Sequence, residues 1–169
     1  AKDDAEAKKY WTFRRESFNL LRQHLSNLRT APFIDDFVIK PEHIAEVVPL
    51  VTDILKKHPE FIFTVAGHVG NGNFHIIPLV DINNPNVRAA IPQISDEVYK
   101  IIAKYHGSIT GEHNDGLIRT PYLKQMYGEK VVKLFEETKK IFDPENIFNP
   151  RKKVGGDLNY TMSHIRTNL

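Results

Sequence analysis

EFIFTVAGHVGNGNFHIIPLV, residues 60–80, has the pattern of a β-hairpin around which the rest of the chain can be ordered. EFIFTVAGH (60–68) and NFHIIPLV (73–80) read as two antiparallel strands. Asn71-Gly72 between them is a dipeptide favoured in two-residue hairpin turns, where both positions need a positive φ. With the turn there, Gly70 faces Asn73, Val69 faces Phe74 and His68 faces His75. The two imidazoles then form a directly opposed cross-strand pair with Cβ atoms about 4.5–5.5 Å apart, which suits shared ligation of one metal ion. Period-2 alternation places Thr64, Ala66 and His68 on one face of the first strand and Phe61, Phe63 and Val65 on the other.

Upstream of the hairpin, DDFVIK (35–40) is extended and β-branched, and Pro41-Glu42 opens a helix carrying Ile44, Val47, Val48, Val51 and Ile54. Pro49 is expected to bend that helix. Downstream, Val87, Ile91, Ile94, Val98, Ile101 and Tyr105 share a helical face; Pro92 is expected to mark its first turn, and His106-Gly107 to end it. GSITGEH (107–113) reads as a short last strand, with Ser108, Thr110 and Glu112 on one face and Ile109 on the other. The order is β-α-β-β-α-β, the split pattern of ferredoxin-like α+β domains, with an antiparallel sheet and helices on one face. Two more helices flank it. Trp11, Phe18, Leu21, Leu25 and Leu28 recur at helical spacing from Ala5 to Leu28, with Arg15 on the same stripe. Val131, Phe135, Thr138 and Phe142 do so from Gly128 to Phe142, before the two prolines of DPENIFNP. No repeat, low-complexity run or long linker divides the chain, so residues 1–169 read as one domain.

Composition excludes several classes. At 169 residues, 41% hydrophobic and 26% charged, the chain resembles neither a disordered nor a collagenous nor a membrane-spanning sequence. Without cysteine it holds no disulfide, thiolate zinc site or iron–sulfur cluster. The net charge of +2 is small and the basic residues are dispersed apart from Arg151-Lys152-Lys153, which gives no support for nucleic-acid binding. The first ten residues, AKDDAEAKKY, lack the apolar core of a signal peptide, and a cytoplasmic location is expected.

The chemistry concentrates on one sheet face, where small polar residues accompany His68, His75 and Glu112. In the ferredoxin-like strand order Glu112 starts two strands from His75, about 10 Å at the usual spacing, a gap two side chains can just close. Two imidazoles and a carboxylate make a plausible divalent-metal set. An Asn-Gly hairpin flanked by histidines also describes an ordinary turn with solvated imidazoles. Glycines 67, 70 and 72 match neither the dinucleotide fingerprint nor the P-loop. Arg15 could pair internally with Asp35 or Asp36, and His113 and Asn114-Asp115-Gly116 could be a plain loop and turn.

GHVGNGNFH, GSITGEHNDGLIRTPYL and LFEETKKIFDPENIFNP, in this order and at these intervals, closely resemble the C-terminal domain of the FAD-linked oxidases, the family of D-lactate, glycolate and D-2-hydroxyglutarate dehydrogenases. The likeness runs from about Trp11 to Val154. It implies a ferredoxin-like α+β cap over a flavin held mainly by a larger N-terminal domain. It also implies that His68, His75 and Glu112 are ligands of a divalent metal, zinc or manganese, that His113 is the catalytic base, and that Arg15 holds the substrate carboxylate. Asn71 and Asn114 replace residues usual in the family, an aspartate and a glycine, without removing a ligand. Further substrate contacts of the hydroxyglutarate enzymes fall on Asn19, Ile34 and Ile77, so that pocket is not reproduced and the identity of the acid stays open.

The resemblance implies oxidation of a small 2-hydroxy acid to a 2-oxo acid, with hydride passing to FAD. The chain starts without methionine inside a helical pattern, so the expectation is a fragment, inactive alone, whose partner is the FAD-binding domain of the same polypeptide. Any membrane attachment would be peripheral, through other parts of that enzyme. Two alternatives remain: a two-histidine, one-carboxylate metalloenzyme complete in itself, and a stand-alone ferredoxin-like metal-binding or assembly module.

Overall fold

The computed structural model describes residues 1–24 and 28–166. The sheet is built around β4 (Asn73–Val80). On one side β4 pairs with β3 (Ile62–His68), and on the other with β1 (Arg29–Thr30) at one end and β2 (Phe37–Val38) at the other, always antiparallel. Beyond β2 comes a single antiparallel bridge from Val38 to Ser108. With α2 (Ile44–Lys56) and α3 (Pro85–Lys104) as the crossovers, the order is the expected β-α-β-β-α-β. Across the sheet the sequence is bridge, β2, β4, β3, so the first and third strands of the split motif are central, and the fold is ferredoxin-like α+β.

The core follows from strand parity. Phe74, Ile76 and Val80 of β4 share one face and meet Val47, Val51 and Leu55 of α2 and Ile94, Val98 and Ile102 of α3, all essentially inaccessible to water. Phe37 packs on its cross-strand partner Phe74 at 5.3 Å between ring centroids and on Tyr99 at 6.0 Å. The opposite face of β4 carries Asn73, His75, Ile77 and Leu79. Since β3 pairs Ala66 with His75 and His68 with Asn73, the even-numbered residues of β3 lie on this second face too.

The hairpin departs from the expected register. Val69–Asn71 form a short 3-10 turn, closed by a Gly72 N–H to Val69 O bond of 3.0 Å, and His68 faces Asn73 rather than His75. The cause is an adjacent segment of the same chain: the Ile39 N–H donates to Gly72 O at 3.0 Å, drawing the loop onto the segment after β2. Gly72 adopts φ 72°, and a Cβ there would lie 1.8 Å from Ile39 O. The four-residue loop shifts the register by two, which keeps both histidines on one face but removes their direct opposition.

Other boundaries also differ. α3 begins at Pro85 with Asn84 Oδ1 accepting from Asn86 N, and Pro92 lies inside it rather than at its first turn. α2 contains Pro49, as the sequence placed it. The last strand is reduced to the Ser108 bridge. α5 (Leu123–Phe142) starts before Gly128, which is a joint at φ 77°, ψ 162° between two helical pieces. β1, α4 (Gly116–Arg119) and α6 (Leu158–Ser163) are additional to the elements expected from the sequence. α1 (Asp4–His24) exposes Tyr10, Trp11 and Phe13; the side chains of Phe18, Leu21 and Leu25, expected on its buried stripe, lie outside the described residues. Among the described residues no helix is long and apolar enough to cross a membrane.

Candidate functional site

His75 sits on β4, inside the sheet between β3 and the β2 side, and is buried. His68 is the last residue of β3, and Glu112 and His113 lie in the loop after the Ser108 bridge. These four side chains converge. Glu112 Oε1 lies 3.2 Å from His75 Nε2, 3.4 Å from His68 Nε2 and 3.6 Å from His113 Nε2. The His75 and His113 rings stack with centroids 5.0 Å apart, whereas His68 meets His75 edge-on at 5.9 Å. His68, Glu112 and His113 are each about half exposed, so the cluster opens to solvent on the sheet face that α2 and α3 leave free.

Two consecutive aspartates hold this arrangement from behind. Asp36, fully buried and at φ 68°, accepts the backbone N–H of Gly111 at 2.8 Å, Glu112 at 3.0 Å and His113 at 2.8 Å, and the Asn73 side-chain amide at 3.0 Å. Burial alone would raise its pKa, but the N–H donors of His113, Gly111 and Glu112 and the Asn73 amide together lower it to about 2. The loop carrying Glu112 and His113 thus spends its backbone donors on one carboxylate instead of a strand ladder. That is the physical reason the last strand stops at Ser108.

Asp35 does the same for the rings. Its Oδ1 lies 3.0 Å from His75 Nδ1 and its Oδ2 3.3 Å from His113 Nδ1. The buried Arg119 ties the two loops together, donating from Nη2 to Asp35 O at 2.6 Å and from Nη1 to Asn114 O at 2.7 Å. With Nδ1 facing a carboxylate, each imidazole directs Nε2 toward Glu112, the orientation a metal ligand or a proton acceptor needs.

Asp36, His75, Glu112 and His113 each offer a ligand atom within 4.8 Å of the others. Asp36 is the member least able to serve, because its oxygens are already occupied by four donors. His68 reaches the same Glu112 oxygen from β3. Neutral imidazole nitrogens and a carboxylate are the donors that zinc and manganese take, so the residues present fit such an ion.

Of the residues singled out in the sequence, the structure brings His68, His75, Glu112 and His113 together. Arg15 is not among them: it is exposed on α1, and among the described residues it forms no ion pair, neither with Asp35 nor with Asp36. Sequence reasoning missed Asp35, Asp36 and Arg119. Its one available signal was a pair of acids inside the apolar run PFIDDFVI, where unpartnered carboxylates would be costly.

The family model of the FAD linked oxidases, C-terminal domain, matches residues 1–153. A D-2-hydroxyglutarate dehydrogenase of Pantoea ananatis is 31% identical over 151 residues, covering 89% of this chain and 15% of the relative. A glycolate oxidase subunit of Bacillus subtilis is 32% identical over 133 residues, 79% of this chain and 28% of the relative. A mitochondrial D-lactate dehydrogenase (cytochrome) of Saccharomyces cerevisiae is 29% identical over 167 residues, 98% of this chain and 28% of the relative. The chain thus spans less than a third of the length of each of these three. With nearly all of the chain matched, from its first residue to Lys153, it belongs to the family of FAD-linked oxidase C-terminal domains.

Proposed function

We propose that residues 1–169 form the substrate-side domain of a FAD-dependent dehydrogenase that oxidises a small 2-hydroxy acid to the 2-oxo acid, the flavin being held mainly by another part of the same polypeptide. The observation that carries this reading is the convergence of His68, His75 and His113 Nε2 on one oxygen of Glu112. When bound, a divalent ion supplies Lewis acidity to the substrate hydroxyl, and the flavin supplies the acceptor for the hydride of the α-carbon.

The remaining work falls to side chains of this chain. His68, His75 and Glu112 hold the ion, zinc or manganese. His113 takes the hydroxyl proton at Nε2, with its Nδ1 held by Asp35. Arg15, exposed on α1 and without an internal ion pair among the described residues, binds the substrate carboxylate through its guanidinium fork. A dye-reduction assay on the whole polypeptide tests this. Turnover is expected with at least one of D-lactate, glycolate and D-2-hydroxyglutarate, and His113→Asn should lower kcat at least about 100-fold. Absence of turnover with all three acids would overturn the reading.

A further inference from the structure

We infer that Asp35 is a positioning residue that sets the tautomer of two imidazoles at once, those of His75 and His113. The inference rests on the metal and base roles proposed for these residues and adds what makes both possible.

Each ring lies between two carboxylates. Asp35 faces Nδ1 of His75 at 3.0 Å and of His113 at 3.3 Å, while Glu112 faces their Nε2 atoms at 3.2 and 3.6 Å. An ionised carboxylate only accepts hydrogen bonds, and a neutral imidazole carries one N–H, so the two acids compete for a single ring proton. Three features give the proton to Nδ1 in both rings. The Asp35 contact is the shorter one in each case. The Asp35 side chain is 6% exposed and needs a donor for each oxygen, whereas Glu112, 51% exposed, is solvated by water. Asp35 is also anchored, by Arg119 at its own carbonyl and by the adjoining Asp36 bonds to the ligand loop, so it cannot turn away cheaply.

The consequence is that both Nε2 atoms present lone pairs toward the Glu112 oxygen. Were the proton on Nε2 instead, His75 could not ligate a metal and His113 could not accept a proton. His68, which Asp35 does not touch, is an internal control.

The test is nitrogen NMR of the 15N-labelled, metal-free chain at a pH where the imidazoles are neutral, reading each ring's tautomer from its ring-nitrogen shifts. The wild type should show Nδ1–H at both His75 and His113. In Asp35→Asn the side-chain amide can accept from one ring but must donate to the other, so one of the two should change to Nε2–H, with His68 unchanged, and zinc binding should weaken about 10- to 100-fold where the ring that changes is His75. Nε2–H at His75 or His113 in the wild type, which requires no variant to fold, overturns the inference. So does an Asp35→Asn spectrum with both tautomers retained. Wild-type tautomers as stated, together with no zinc binding, would support the positioning role and remove the metal from the proposed function.

Discussion

The Asp36 carboxylate accepts the backbone N–H of Glu112 through both oxygens, at 3.2 and 3.0 Å, so Glu112 is placed by a residue 76 positions earlier in the chain. Asp36→Asn keeps a residue that tolerates the left-handed backbone but sets an NH2 group among N–H donors. It is expected to destabilise the chain by about 2–3 kcal/mol in a denaturant titration. A loss below about 0.5 kcal/mol would mean that the loop is held by something else.

The same carboxylate predicts an acid dependence. Its pKa is lowered from 3.8 to about 2 in the folded chain, so its contribution is complete above the unfolded value and is lost as pH falls from about 4 through about 2. Urea melts at pH 5, 3 and 2 should therefore show a steeper loss in the wild type than in Asp36→Asn. Parallel curves would exclude Asp36 as a source of the acid sensitivity.

Gly72 and Gly70 offer a paired test of the hairpin. A Cβ on Gly72 would stand 1.8 Å from Ile39 O at a positive φ, whereas one on Gly70 would meet nothing within 4 Å. Gly72→Ala should cost about 2 kcal/mol or more and move the His68 and His75 resonances, and Gly70→Ala should stay within about 0.5 kcal/mol. Equal effects of the two substitutions on thermal unfolding would contradict the four-residue loop.

These positions also show how far the sequence could be read. The alternation in 60–68 identified the strand and the face of each side chain, because a period of two is local. The register was misread because the loop is fixed by Ile39, a contact from beyond the hairpin that Asn71-Gly72 does not reveal. The error was an even number of residues, so His68 and His75 stayed on one face and their grouping with Glu112 survived. Asp35 and Asp36 were legible only as charges in an apolar run, since what they hold lies on β4 and in the loop 75 to 77 positions later. Trp11 shows the opposite failure: it follows helical spacing, yet it is exposed on α1.

Arg15→Ala separates the proposed substrate contact from the proposed metal site. Arg15→Ala should leave the stability of the chain within about 0.5 kcal/mol and its zinc affinity within about twofold, because the residue is exposed and outside the histidine cluster. In the whole polypeptide the same change should weaken kcat/KM for the hydroxy acid by about 10-fold or more, reflecting a lost charge-assisted contact. Unchanged kcat/KM would take Arg15 out of the substrate site.

The chemistry proposed for this sheet face depends on a shared metal site, which calorimetric titration of the chain with zinc and with manganese probes. The wild type should bind one ion, and His75→Ala and Glu112→Ala should each lose most of the affinity, about 100-fold or more, while Gly70→Ala binds as the wild type does. Undiminished binding in both His75→Ala and Glu112→Ala would contradict a site built on these residues.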